Sequence, residues 1–284
     1  MSRPTDVSPL ASLVRRMDAA AAGEPVGDSF ATGFPSIDKM LGGGVRRGDL
    51  VVIGGEVGSG KSSLALAISL RMAQAGTAVT FLTHEMTSER VLERALAIEG
   101  RCRIDDIRSG ALNDLTRAAV GAVAVRLREN TPRFEKITAG GTDTLGTALG
   151  RAPSVQVVIV DSLQALALGV GPLSEELASA VRALKRMAIN LDVAMLVTSH
   201  VQPAHGDRPD PRPALEDFGA LGAVKQDSDV VLGIFREEMF HPASGVDGAT
   251  ELLVLKNRNG STGYVDLYFY KQWLRFEDML DPDR

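Results

Sequence analysis

An apolar run, Leu50-Val51-Val52-Ile53, gives way to Gly54-Gly55-Glu56-Val57-Gly58-Ser59-Gly60-Lys61-Ser62-Ser63, after which a helical pattern continues to Gln74. Gly55, Gly60, Lys61 and Ser62 occupy every fixed position of G-x-x-x-x-G-K-[ST], between a strand and a helix. Glycines let backbone N–H groups turn inward around phosphate oxygens, and the helix N-terminus adds positive potential. Lys61 is expected to reach the β- and γ-phosphates of a nucleoside triphosphate, and Ser62 to hold Mg²⁺. The candidate binding loop is Gly55, Glu56, Val57, Gly58, Ser59, Gly60, Lys61, Ser62 and Ser63. The competing reading is a glycine-rich turn with no ligand; a full match in this context weighs against it.

Such a loop needs a buried strand before it and a covering helix after it, and the flanking pattern supplies more of both. Leu50–Ile53, Val79–Leu82, Val155–Val160 and Ala194–Thr198 are apolar runs of strand length. Helical stretches alternate with them: Ser62–Gln74, Ser88–Glu99, Leu112–Arg128 and Glu175–Asn190, the last with Ser174 as its expected cap. Continuous apolar strands alternating with helices predict an α/β fold with a mainly parallel sheet covered on both faces. Val230–Phe235, Glu251–Lys256 and Tyr264–Tyr270, with Asn259-Gly260 as a hairpin signal, predict an antiparallel C-terminal extension. Before the sheet, Ser8 and Pro9 open a short helix with an apolar stripe of Leu10, Leu13, Val14 and Met17. Residues 20–28 then read as a linker, so 1–29 form a tail and 30–284 the main domain. The stripe either folds back on its own domain or docks on a neighbouring subunit.

Five further positions carry candidate chemistry. Val157–Asp161 is an apolar strand ending in a carboxylate, as expected of a residue delivered to the Mg²⁺ shell. Glu85 follows the strand Val79–Leu82 at the ligand-facing edge, as either a general base or a solvated helix starter. His200 ends its strand at the same edge and could donate to the γ-phosphate, or be a surface histidine. Lys256 and Arg258, two apart at the end of a late strand, point to one side and suit phosphate oxygens, or form an exposed basic turn. His84, His205 and His241 have no partner at metal-ligand spacing and read as structural.

Composition removes several classes. One cysteine, Cys102, excludes an intramolecular disulfide framework and a Cys-cluster zinc site. No apolar run approaches the ~20 residues of a membrane helix, and residues 1–10 hold no hydrophobic signal region, so a cytoplasmic protein is expected. With 31 Lys+Arg against 36 Asp+Glu, the net charge of -5 argues against a chain that coats nucleic acid, while permitting basic contacts around a channel.

Taken in order, these motifs resemble the catalytic domain of the DnaB-type hexameric replicative helicases, within the RecA-like ATPase group, over residues 30–278. Ala31–Asp38 with Gly42-Gly43-Gly44 looks like an opening segment shared with other RecA-like relatives. Phe81–Met86 resembles the family's post-strand Glu-Met segment, and Val160–Gln164 its Asp-Tyr-Leu-Gln, with Ser162 in place of Tyr. Gln226–Val230, Phe235–Phe240, Lys256–Gly260 and Trp273–Phe276 resemble the elements that follow. The resemblance implies ATP and Mg²⁺ as ligands, Glu85 as general base, and Arg258 as a finger reaching the next subunit's ATP with Lys256 beside it. It implies a homohexamer held by the N-terminal helix, and single-stranded DNA in a central channel. Three departures accompany it. No N-terminal helical domain is recognised, so primase or loader contacts through one are not expected. His200 replaces a Gln. The channel stretch Asp217-Phe218-Gly219-Ala220-Leu221-Gly222 lacks the family's Arg and Glu, leaving Arg208, Arg212 and Lys225 as nearby cations. The expected function is therefore an ATP-dependent DNA helicase or translocase; the alternative is a RecA-like ATPase that regulates or adapts without productive DNA gripping.

Overall fold

The computed structural model describes residues 8–22, 28–137, 141–150, 154–202, 208–242 and 245–279. Its elements, in chain order, are α1 (Pro9–Ala21), β1 (Ser29–Phe30), α2 (Pro35–Met40), β2 (Val45–Arg46), β3 (Leu50–Gly55), α3 (Lys61–Gln74), β4 (Val79–Thr83), α4 (Ser88–Gly100), α5 (Ile104–Ser109) and α6 (Asp114–Glu129). There follow β5 (Arg133–Lys136), α7 (Asp143–Gly150), β6 (Val157–Asp161), α8 (Leu173–Leu191), β7 (Ala194–His200), α9 (Ala223–Asp227), β8 (Val230–Phe235), β9 (Ala249–Asn257), β10 (Gly263–Tyr270) and β11 (Arg275–Asp278).

The expected α/β architecture is present. A nine-stranded sheet has the order β11-β10-β9-β8-β3-β7-β6-β4-β5. From β8 to β5 all pairings are parallel, and from β8 outward to β11 all are antiparallel. Alternate residues of each central strand feed different cores. Val51 and Ile53 of β3, with Val157 and Ile159 of β6, meet α3, α4 and α6 on one face. Leu50, Val52, Val158 and Val160 meet α7, α8 and α9 on the other. Burial on both faces is why these strands read as unbroken apolar runs.

The edges depart from expectation in instructive ways. β5 closes one edge as Arg-Phe-Glu-Lys, a short charged strand without an apolar run, which suits an unpaired edge. Asn259-Gly260 lies within a wider loop, because the last β9–β10 pair is Val254–Gly263. Ser174 does not cap α8. Pro172 precedes the first turn, and Glu176 instead accepts backbone N–H groups of Gly169, Val170 and Gly171 at 2.9, 2.8 and 2.7 Å.

α1 forms as expected, with Ser8 Oγ accepting from the Ala11 N–H at 3.2 Å. Its stripe finds no cover among the described residues: Leu10, Leu13, Val14 and Met17 are 69, 44, 47 and 62 % exposed. The first alternative, a helix folded back on its own domain, is thereby disfavoured. Most of the linker, residues 23–27, and His205 lie outside the described residues.

Candidate active site

The parallel register aligns the candidate residues along one edge. Gly55, the last residue of β3, pairs with His200 at the end of β7, and Thr83 of β4 pairs with Asp161 at the end of β6. Val160 lies opposite Val197, so β6 and β4 stop two residues short of β7 and β3, and the loops that leave the four strands converge above that step. Lys61, Ser62, Ser63, Glu85, Asp161 and His200 line one pocket with Val57, Gly58 and Gly60 of the phosphate loop.

The loop's glycines are sterically required at two points. Gly60, the residue before α3, has φ 102°, and a Cβ there would stand 2.8 Å from the Phe276 ring. A Cβ on Gly55 would stand 2.5 Å from Ser59 Oγ. Lys61 is buried, and its ammonium donates to the carbonyls of Gly55 at 2.9 Å and Glu56 at 2.7 Å. Burial lowers its pKa to about 8, against the opposing charges of Asp161, Glu85 and Glu56. A cation held so close to neutrality gains strongly when phosphate charge arrives.

Asp161 is buried at 2 % exposure. Its Oδ1 accepts from Ser62 Oγ at 3.0 Å and from Thr198 Oγ1 at 2.6 Å, while Oδ2 is buried without a partner. An orphaned buried carboxylate oxygen beside a serine hydroxyl is the donor set of a hard cation with an oxygen shell, so these residues fit Mg²⁺. The site is not a cage of protein carboxylates: among the described residues no cluster of three metal-ligating side chains occurs. Magnesium bound here would depend on water and phosphate oxygens for its remaining ligands.

His200 is held through its backbone N–H, which donates to Gln164 Oε1 at 3.2 Å. Gln164 Nε2 in turn donates to Ser199 Oγ at 3.2 Å. Desolvation, followed by the charge of Lys61, lowers the imidazole pKa, with Glu85 and Asp161 opposing. The ring is therefore neutral at pH 7, with one N–H to give and one nitrogen to accept. Glu85 stands exposed at the pocket mouth, close enough to both Lys61 and His200 for its charge to act on them.

Three positions gained importance only with the structure. Thr198 completes the Asp161 clamp, and its signal was a hydroxyl inside an apolar strand. Gln164 ties β7 to the segment after Asp161. Arg236 is buried against the phosphate loop, donating to the Gly58 carbonyl at 3.1 Å and standing 4.6 Å above the Phe269 ring. No local pattern announces that contact, because Gly58 and Arg236 meet only through the tertiary fold.

Lys256 and Arg258 are not in this pocket. β9 runs antiparallel to β8, with Asn257 opposite Val230, so both cations lie where β8 and β3 begin. The phosphate loop lies where β3 ends, about 17 Å away at roughly 3.3 Å per strand residue. Lys256 Nζ donates to the carbonyls of Lys225 (2.7 Å), Gln226 (3.4 Å) and Ser228. Arg258 pairs with Asp229 at 3.1 Å.

The sequence model of the DnaB-like helicase C terminal domain family matches residues 29–278. The chain belongs to this family. Among relatives of the DnaB-like family, the replicative DNA helicase DnaB of Geobacillus stearothermophilus is 27 % identical over 260 residues, covering 87 % of this chain and 56 % of the relative. That of Haemophilus influenzae is 27 % identical over 259 residues, covering 88 % and 55 %. The chain thus spans little more than half the length of these relatives. A solved DnaB-like replicative helicase, described with its interactions with primase, superposes with TM-score 0.85 and 21 % identity over 98 % of this chain and 68 % of that one. A separately solved ATPase domain gives 0.87 and 22 % over 96 % and 99 %. These two likenesses establish the RecA-like ATPase-domain fold of this DnaB-like chain.

Proposed function

We propose that this chain is the ATP-hydrolysing motor of a ring-shaped replicative DNA helicase, acting in the cytoplasm as a homohexamer on single-stranded DNA. Residues 1–29 would serve as tail and linker helix, and 30–284 as the ATPase domain. Lys61 would bind the β- and γ-phosphates, with the N–H groups of residues 55–63 around them. Ser62 and Asp161 would hold Mg²⁺, which neutralises phosphate charge. Glu85 would orient and deprotonate the attacking water, and His200 would donate its N–H to the γ-phosphate. Arg258, with Lys256, would act on the ATP of the next copy, because its own pocket lies beyond the reach of an arginine side chain. The exposed stripe of α1 would dock on a neighbour and hold the ring.

The observation that carries this reading is the convergence of Lys61, Ser62, Glu85 and Asp161, with its orphaned Oδ2, in one pocket at the carboxyl ends of parallel strands. Family membership supports the motor over the regulator alternative. The DNA grip is the less ordinary part. Arg208 is paired with Asp217 at 2.8 Å, Arg212 with Glu251 at 2.6 Å and Lys225 with Glu216 at 2.9 Å. Contacts to the DNA backbone in this stretch would therefore come from main-chain N–H groups around Gly219–Gly222. The deciding experiment compares ATP turnover with and without single-stranded DNA on one preparation, alongside strand displacement. Stimulation with unwinding supports the helicase; turnover indifferent to DNA supports the regulator.

A further inference from the structure

Arg258 is half exposed, yet its guanidinium is not free to wander. Nη1 donates to Asp229 Oδ1 at 3.1 Å and Nη2 to the Gln226 carbonyl at 3.2 Å. The Arg258 backbone N–H also donates to the Asp229 carbonyl at 2.8 Å. Asp229 is itself immobile: its side chain is 4 % exposed, and its Oδ2 accepts from Lys185 Nζ at 2.6 Å and from the Leu50 N–H at 2.8 Å. One carboxylate oxygen is thus consumed by α8 and by the first residue of β3. The other is left for the arginine.

We propose that Asp229 is the positioning residue for Arg258, aiming its guanidinium outward from the sheet edge. The proposal rests on the reading of Arg258 as a finger acting in trans. A free arginine spreads over many rotamers and loses that freedom when one is fixed. Here two of its five N–H donors are engaged by the chain, so the fork is oriented while the remaining N–H groups stay available to an incoming anion. Because Asp229 also holds Leu50, the start of β3, the arginine's anchor and the phosphate loop belong to one rigid strand. Each copy's finger is therefore registered to its own nucleotide pocket.

The test is Asp229→Asn in the full chain, with Asp229→Asn/Lys185→Gln as the variant that removes both buried charges together and preserves volume. In both, kcat for ATP should fall about 10- to 100-fold, a part of what a full finger supplies, with KM for ATP within about twofold of the parent. Adding either set of substitutions to Arg258→Ala should cost less than about threefold beyond Arg258→Ala alone, since two residues acting as one unit do not add. Unchanged kcat in Asp229→Asn, or its full loss repeated on the Arg258→Ala background, overturns the proposal while leaving the finger intact. Loss of the folded state in both variants assigns Asp229 to stability alone and overturns it too. If Arg258→Ala by itself turns over ATP normally, the finger reading has failed, which is a distinguishable result.

Discussion

The two edges of the parallel sheet are built on opposite principles. At the edge where β3 ends, position comes from the backbone: glycines at 55 and 60 admit no side chain, Lys61 and Asp161 are buried, and register brings the strand ends within two residues of one another. At the edge where β3 begins, position comes from side chains reaching to carbonyls and to one buried carboxylate, and the arginine remains half exposed. The first edge is a receptacle with buried polar groups lacking partners. The second is a donor with N–H groups to spare. On the proposed reading each edge is half of a site, and only a second copy of the chain completes it.

That comparison breaks most sharply if the halves can be separated and recombined. Arg258→Ala should reduce ATP turnover by about 10³–10⁵-fold while the protein still binds ATP. Lys61→Ala should abolish turnover. Mixed and allowed to exchange, the two should recover partial activity, because some interfaces pair an intact Lys61 with an intact Arg258. No recovery despite demonstrated co-assembly would return both residues to a single subunit or remove Arg258 from catalysis.

Within the receptacle, Glu85→Gln should lower hydrolysis by about 10²–10⁴-fold with ATP affinity retained. A parallel fall in binding would make Glu85 structural. Assembly comes next in size. Leu13→Asp combined with Met17→Asp should leave the folded protomer intact, since both side chains are exposed in it, but shift light-scattering mass with ATP and Mg²⁺ toward smaller species. An undiminished assembly would send the α1 stripe to some other partner.

The finest effect is a proton count. Lys61 has a pKa of about 8 without nucleotide, below its ordinary 10.5. Near pH 8 a substantial fraction is therefore neutral, and bound phosphate should raise the pKa and draw a proton in. Calorimetry in buffers of different ionisation enthalpy should show uptake of roughly half a proton per ATP at pH 8. The uptake should shrink toward zero at pH 6, where the amine is already charged, and disappear in Lys61→Ala. Proton release at pH 8 would contradict the buried-lysine account.

The receptacle was far more legible in the sequence than the donor. The phosphate loop announces itself because chemistry demands particular residues at consecutive positions, and Asp161 follows from an apolar strand ending in a carboxylate. The central strands were visible because both of their faces are buried. β5 was not, since a short edge strand of Arg, Phe, Glu and Lys carries neither alternation nor an apolar run. Ser174 carries the local signal of a cap for α8, but the loop before the helix is organised by Glu176 from the opposite direction. The partners of Thr198, Gln164, Arg236 and Asp229 are not legible in the sequence, because each contact joins strands or loops distant along the chain. The separation of Lys256 and Arg258 from Lys61 is likewise a property of antiparallel pairing, which no local motif encodes.

β11 has a consequence for how the molecule comes into being. Phe276 packs where a side chain on Gly60 would stand, and Asp278 accepts from both the N–H and the hydroxyl of Ser36, each at 2.6 Å across a separation of 242 residues. Glu277 meanwhile gathers Arg71 at 3.3 Å and Arg101 at 3.2 Å from the helices behind the loop. On the ribosome, the phosphate loop is made well before the strand that buttresses it. A nascent chain interrupted before residue 275 would carry the whole nucleotide motif without the strand that backs it. Such long-range closure is slow to form, so the buttressing of the pocket waits on β11.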